Sequence, residues 1–359
     1  MERGLPALFA FVAAMSAQPQ DSTSASPIVQ SEFVFETAPF ASAHASTLVE
    51  SREGLIAAWF GGSREGAPDV GIWISRRVDG AWTAPAEAAN GVQADGMRYP
   101  CWNPVLFEMP DQELSLFYKV GPSPQQWWGM LRRSRDGGRT WGDARRLPDG
   151  ILGPIKNKPV SLADGSVLSP SSTESPTTPS TWRVHFERTV DGGRTWTVIR
   201  PKIIEGREID AIQPSILIHA SRTLQAVGRS RSGRIFETWS SDGGQTWTPL
   251  TLTALPNPNS GIDALALRDS RFLIVYNHTR EGRSPLNVAL SQDGRSWDAA
   301  LVLEQDPGEY SYPAVIQSAD GRVHVTYTWR RQRIKHIAID PAKLAEVPMP
   351  DGTWPRQSP

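Results

Sequence analysis

The chain reads as an all-β protein, a six-bladed β-propeller of four-stranded antiparallel blades, and three observations predict it. The first is a recurring Ser/Thr-x-Asp-Gly-Gly-x-Thr-Trp box at residues 134–141, 189–196 and 240–247, shortened at 291–297 and degraded at 75–82. Its aspartates, Asp79, Asp136, Asp191, Asp242 and Asp293, stand 57, 55, 51 and 51 residues apart, a period that marks propeller blades. The second is a strand, a turn and a strand before each box-bearing strand, repeated six times. The third is 14 Trp alongside 30 Gly and 30 Pro, since turns need Gly and Pro while Trp fills flat layers between sheets.

The elements follow in order. The first two strands of each unit fall within 44–60, 103–119, 158–169, 213–227, 263–276 and 312–328. Third strands follow at 70–75, 128–134, 182–189, 235–240 and 286–291, with 334–338 in the last unit. Residues 32–36 form a strand with no unit of its own, which supplies the missing outer strand of the last sheet and closes the ring. In each box the glycines accept positive φ, the Asp caps backbone N–H groups and the Trp packs between blades. The boxes are structural and carry no chemistry.

Charge and composition narrow the function. Across 359 residues, 37 Lys+Arg meet 38 Asp+Glu for a net charge of −1, which excludes a global basic field for nucleic acid or membrane surfaces. A mean hydropathy of −0.36 describes a globular domain. The single cysteine, Cys101, excludes an intramolecular disulfide framework and a Cys-rich metal site. The histidines lack ligand spacing, so neither metal nor cofactor is expected. Residues 1–26 read as a signal peptide and polar linker, 27–345 as the propeller and 346–359 as a C-terminal tail. Export to the periplasm or beyond follows, and no other apolar run approaches the roughly 20 residues of a membrane span.

In a propeller the starts of the inner strands converge at one end of the channel. Aligning the units places His44, Asn103, Lys158, Gln213, Asp263 and Tyr312 in one polar column. Loops joining second to third strands open on the same face. They carry Arg64, Glu65 and Asp69; Trp127 and Trp128; Glu174; Arg229, Arg231 and Arg234; and Asn277, His278, Arg280 and Arg283. With Lys156 and Lys158 these form an anion-binding cup, and guanidinium groups suit a carboxylate because they bind it bidentately. Arg234 and Arg283 stand out because each immediately precedes a third strand. Tyr310 and Tyr312 begin the last blade as nucleophile candidates, Asp69 ends a Gly- and Pro-containing loop as an acid or a turn cap, and His44 is a base, a carboxylate partner or a buried histidine.

The Asp boxes, six units and arginine-lined centre resemble the sialidase (neuraminidase) superfamily, specifically bacterial BNR/Asp-box sialidase-like proteins, from about Glu32 to the end. The resemblance implies a Tyr nucleophile activated by a Glu, an Asp acid/base and three Arg clamping a carboxylate. It carries over to Tyr312 by strand register, with Tyr310 the rival by local motif, to Asp69 as acid/base, and to Arg234 and Arg283 as the second and third arginines. Two positions depart from the pattern: Ala43-His44-Ala45 replaces the segment with the first arginine, and Gln213 stands where the activating Glu falls.

Three functions follow as expectations. The first is an exo-acting glycosidase removing a terminal acidic sugar, sialic-acid-like or uronate-type, from an oligosaccharide or glycoconjugate, with Tyr312 attacking, Asp69 protonating and Arg64, Arg234 and Arg283 binding the carboxylate. Lys158, Asn103, Asp263 and His278 would add contacts. The second is a lyase on a uronate-containing glycan using His44 and Tyr312, favoured by the His44 and Gln213 departures. The third is a non-catalytic carbohydrate-binding propeller that stacks sugars on Trp102, Trp127, Trp128 and Trp329.

Overall fold

The computed structural model of the chain describes residues 1, 26–220 and 222–355; the leader expected at the start lies outside them, apart from its first and last residues. Six antiparallel sheets follow one another along the chain. Blade 1 runs Ser42–Ser51, Gly54–Gly62 and Gly71–Val78, with an outer edge in two pieces, Ala81–Trp82 and Ala86–Ala89. Blade 2 is Cys101–Glu108, Leu114–Val120, Trp128–Ser134 and Arg145–Arg146, and blade 3 is Val160–Ser161, Val167–Glu174, Trp182–Thr189 and Thr197–Ile199. Blade 4 comprises Ala211–Ile218, Leu224–Ser230, Arg234–Ser240 and Thr251–Pro256; blade 5 comprises Asp263–Ala266, Phe272–Tyr276, Leu286–Ser291 and Asp298–Glu304. Blade 6 has Tyr310–Gln317, Val323–Trp329 and Arg333–Ile339.

The ring closes as the sequence suggests. The early strand Ile28–Phe33 pairs with Arg333–Ile339 and becomes the outer strand of blade 6. It begins earlier than residue 32 and ends at Phe33; Val34 still donates its amide to the Ile334 carbonyl at 2.8 Å, and Val34 and Phe35 pack with Leu48, Trp59 and Ile334. Residues read as a tail also join the ring: Val347–Pro348 adds a fifth strand to blade 5, and Trp354 packs against its core.

The box chemistry explains the blade contacts. Asp136 Oδ1 accepts the Arg139 and Thr140 amides, and Asp191 repeats this with Arg194 and Thr195. Hydroxyl and amide bonds from Thr140 and Thr195 hold the two carboxyls far below the usual range. The box tryptophans then reach back to the preceding blade: Trp247 stacks on Phe186 at 3.9 Å and Trp196 meets Phe117 edge-on at 6.3 Å.

Each of four inner strands carries a β-bulge near its start, where the register shifts between His44 and Thr47, Trp102 and Val105, Ile212 and Ser215, and Ser311 and Ala314. The bulged residues Ala45, Asn103, Gln213 and Tyr312 have φ of 56°, 38°, 58° and 53°, a strained region for side chains other than Gly. In three of the four, proline follows (Pro104, Pro214 and Pro313), so the bulge leaves no N–H unpaired there. The register corrects the aligned column at three places: the equivalent of Tyr312 is Ala45 in blade 1, Lys156 in blade 3 and Gly261 in blade 5, so His44 stands one residue earlier and Lys158 and Asp263 two residues later.

Candidate active site

Tyr312 is the centre of the site, 8 % exposed at the axial end of blade 6. Its bulge turns the ring over the channel, and Gly261 opposite makes room, since a Cβ there would lie 3.2 Å from the Tyr312 ring. The His44 ring is 4.3 Å away between centroids. Around the phenol stand Arg229, with its guanidinium 5.5 Å from the ring centroid, Arg283 at 5.8 Å and the Lys156 ammonium at 5.9 Å. Gln213 Nε2 donates to the Tyr312 hydroxyl at 3.3 Å.

The charges divide into held and unheld. Arg331, at the tight turn between the second and third strands of blade 6, is gripped by both Glu309 oxygens at 3.0 and 2.9 Å and by Glu65. Arg283 shares Glu309 at 3.4 Å. Among the described residues no carboxylate lies within ion-pair distance of Arg229 or Lys156. Lys156 is buried against the Asn157 side chain and the carbonyls of Ile262 and Pro313, and burial lowers it to about 7 against the opposing pull of Asp263. Gln213 Oε1 and Arg229 Nε are buried without a hydrogen-bond partner among the described residues.

His44 is fully buried, with Nδ1 on the Thr328 hydroxyl at 2.9 Å. Burial first, then the charges of Arg331, Arg283, Arg229 and Lys156, push its pKa well below the ordinary imidazole value. A histidine held neutral is a proton acceptor and a poor clamp for a carboxylate. The carboxylate-partner role considered for His44 is therefore physically disfavoured.

Several expected residues lie elsewhere. Arg234 is exposed and bonds the Thr253 carbonyl; the blade 4 guanidinium at the centre is Arg229, which stacks between Trp182 at 5.2 Å and Tyr312. Position just before a third strand selects a residue at the hairpin tip, whereas Arg229 sits near the end of the second strand, paired with Ile212 beside the bulge of the inner strand. Arg64 is exposed, its carbonyl accepting the Ala67 amide in a turn. Asp69 is also exposed and takes both the amide and the hydroxyl of Ser63, at 2.9 and 2.8 Å. Desolvation, the largest single effect, works upward, but the two Ser63 bonds together with Arg98 outweigh it and hold the carboxyl low, so Asp69 caps its own turn.

Lys158 and Asp263 pair with each other at 2.9 and 3.1 Å. Asp263 also accepts from Ser215 at 2.7 Å and from the Val315 amide at 2.9 Å, so the pair ties blades 3, 4, 5 and 6 together inside the channel. His278 packs against Trp354 at 5.2 Å and bonds Tyr276. Tyr310 is buried between blades 5 and 6 with its hydroxyl on Arg330 at 3.2 Å. The bulge separates it from Tyr312, although a regular strand would put the two on one face. Asn103 occupies the left-handed position of blade 2, buried.

Arg331 and Glu309 carry signals that position alone conveys: one sits in the loop between second and third strands of blade 6, the other just before that blade's inner strand. Such an axial cationic cup on six blades, five of them carrying a full or altered Asp box, defines a sialidase-type propeller. The chain belongs to the BNR repeat-like domain family, which matches residues 53–325, and is a sialidase-like member of the BNR-repeat superfamily. No curated protein matches its sequence. Among solved structures it is similar to a protein of unknown function from Dyadobacter fermentans, at 18 % identity and a TM-score of 0.72 over 87 % of this chain and 98 % of that one. It is also similar to the Hadza microbial sialidase Hz136 (18 % identity, TM-score 0.72, 85 % and 66 % covered). A third is the intramolecular trans-sialidase of Ruminococcus gnavus (14 % identity, TM-score 0.68, 89 % and 99 % covered). At these identities the likeness is one of fold.

Proposed function

We propose that the protein is an exo-acting glycosidase that removes a terminal acidic sugar from a glycan. The observation that carries this reading is the Tyr312 phenol with two guanidiniums and an ammonium within 6 Å of its ring, two of these cations having no carboxylate of their own. A sugar carboxylate completes the charge balance on Arg229, with Arg283 and the Glu309-held Arg331 at its flank, while Lys156, its three N–H bonds taken by Asn157, Ile262 and Pro313, adds only its field. Tyr312 Oη then meets the anomeric carbon, and His44, neutral and packed against the Tyr312 ring, is the candidate base for the phenolic proton. A tyrosine suits an anomeric centre that already bears an anionic group.

The glycosidic C–O bond breaks with its electron pair on the leaving oxygen, which needs a proton. Asp69 stores one poorly. Burial raises Glu174 above the usual carboxylate range, and its cross-strand neighbour Trp182 carries Arg229 on its face, so Glu174 is the better donor; the attacking water returns the proton. Export, expected from the start of the chain, would place this activity where glycans are met.

A lyase on a uronate-containing glycan is the second reading, favoured by the contact of His44 with Tyr312 and by Gln213, an amide that cannot act as a base. Product analysis by mass spectrometry in heavy-oxygen water, over sialylated and uronate-capped oligosaccharides, tests both. Label in a released acidic sugar supports hydrolysis. A product lighter by one water with a new ultraviolet absorbance moves the assignment to elimination, and the absence of any product sinks both.

A further inference from the structure

Between blades 3 and 4, the linker from Thr197–Ile199 to Ala211–Ile218 walls a recess of 240 Å³. None of the residues gathered around Tyr312 lines it. Its floor is the open side of a blade core: buried Val184 with half-buried Ile209 and Leu250, all of one apolar cluster. At about 30 Å³ for each water-sized group, the recess holds about eight such groups. The linker over it is fixed in place. The Lys202 amide donates to the Trp247 carbonyl at 3.1 Å, and the Arg207 amide closes a turn on the Ile204 carbonyl at 3.0 Å, with Gly206 at a φ of 76° inside the turn.

The mouth of the recess is apolar and cationic at once. Ile203 and Ile204, adjacent in the linker, are 62 % and 49 % exposed, which leaves two branched side chains in water beside an apolar floor. Arg200, Lys202 and Arg207 also line the recess, and none of the three has a carboxylate within ion-pair distance among the described residues. Arg183 in the same wall is different, being tied to Asp210 at 2.8 Å. The lining holds one carboxylate, Glu208, so three unpaired cations stand against a single acid. Long cationic side chains lay their methylene stems on apolar surface and keep their heads in water. Their stems therefore carry the floor outward to a positively charged rim.

We propose that this recess is a second binding site, for an aliphatic carboxylate of medium chain length. The chain fills the recess against Val184, Ile209 and Leu250 and covers the two isoleucines, while the carboxylate at the mouth takes charge-assisted bonds from the rim cations. Recognition needs both ends. A neutral chain leaves the three cations unanswered, and a small anion leaves the floor in water. The aliphatic floor and the room for about eight groups set the length near that of octanoate. The inference stands apart from the glycosidase reading, since it uses none of the residues around Tyr312.

Calorimetric titration of the full chain with octanoate tests this, with octan-1-ol as the chain without the charge and acetate as the charge without the chain. Octanoate is expected to bind, and the other two about tenfold more weakly. The double change Arg200→Ala with Arg207→Ala, and separately Ile203→Ser, should each weaken octanoate by about fivefold. All three side chains are exposed, and circular dichroism checks that the fold is kept. Arg229→Ala, in the axial cup, should leave octanoate binding as it is. No octanoate binding, equal binding of octan-1-ol, binding unchanged in both rim variants, or binding lost in Arg229→Ala overturns the inference. Cosedimentation with phosphatidylglycerol vesicles in the absence of octanoate binding assigns the patch to a lipid surface and overturns it as well. Each of these outcomes leaves the release of acidic sugar to be decided on its own.

Discussion

The ring of His44, from the inner strand of blade 1, lies 4.3 Å from the ring of Tyr312, from the inner strand of blade 6. The contact exists because the propeller closes: the first and last inner strands become neighbours, and the bulge at Tyr312 turns its ring toward the axis. Both catalytic expectations for this protein, hydrolase and lyase, draw on that pair.

Tyr312→Phe removes only the hydroxyl and keeps the packing against His44. Turnover of an acidic-sugar substrate is expected to fall by about 10²–10⁴, with binding of the free sugar changed less than threefold. Steady-state kinetics beside calorimetric binding decides it, and a variant with near-native kcat would remove Tyr312 from the chemistry.

Arg229 and Arg234 give a paired comparison. Arg229→Ala should weaken acidic-sugar binding by about 2 kcal/mol, roughly thirtyfold, because it deletes a charge-assisted contact. Arg234→Ala, on an exposed side chain, should leave binding within a factor of two. Equal effects from the two variants would refute the placement of Arg229 at the centre.

Asp263→Ala should destabilise the fold by about 3–5 kcal/mol, since it leaves the part-buried Lys158 without its carboxylate and the Val315 amide without an acceptor. Urea unfolding monitored by tryptophan fluorescence measures it. A loss below 1 kcal/mol would mean the channel network is dispensable.

The seam of ring closure should make the protein acid-sensitive. His324 Nδ1 meets His336 Nε2 at 2.9 Å and its Nε2 meets Ser318 at 3.0 Å; His336 Nδ1 meets Glu32 of the closing strand at 3.0 Å. Asp320, Arg77 and Arg322 are the remaining charges near this chain. Burial, then the neighbouring His336, lowers His324 from 6.5 to about 4; burial also lowers His336 against the pull of Glu32. Above pH 6.5 neither folded nor unfolded imidazoles bind protons, so this stability is fully present. Between 6.5 and about 4 the unfolded chain takes up protons that the folded one refuses, and stability falls as pH falls, by roughly 2–3 kcal/mol for His324. Glu32, held low mainly by His336 and Trp82 against its own burial, extends the loss at the acid end. The thermal midpoint should drop across this window in the native chain and drop less in His324→Gln. Parallel pH curves would exclude the seam as the cause.

Local chemistry wrote much of this protein into its sequence. Asp-Gly-Gly turns, alternating strands and a period near 50 residues (Asp191 to Asp242, 51 apart) specify the blades, because hairpin geometry and strand alternation act over a few residues. The early unpaired strand announced ring closure, and Tyr312, Gln213, His44 and Arg283 were legible as axial residues from strand register and loop position. What register along one strand could not decide is which side chain reaches the axis. A bulge at Tyr312 parts it from Tyr310, Ser63 captures Asp69, and Lys158 finds Asp263 two blades away. Arg229 rather than Arg234, and Lys156 rather than Lys158, face the site because separate blades impose their packing on them. Those outcomes are set by contacts between distant segments, which only the tertiary structure supplies.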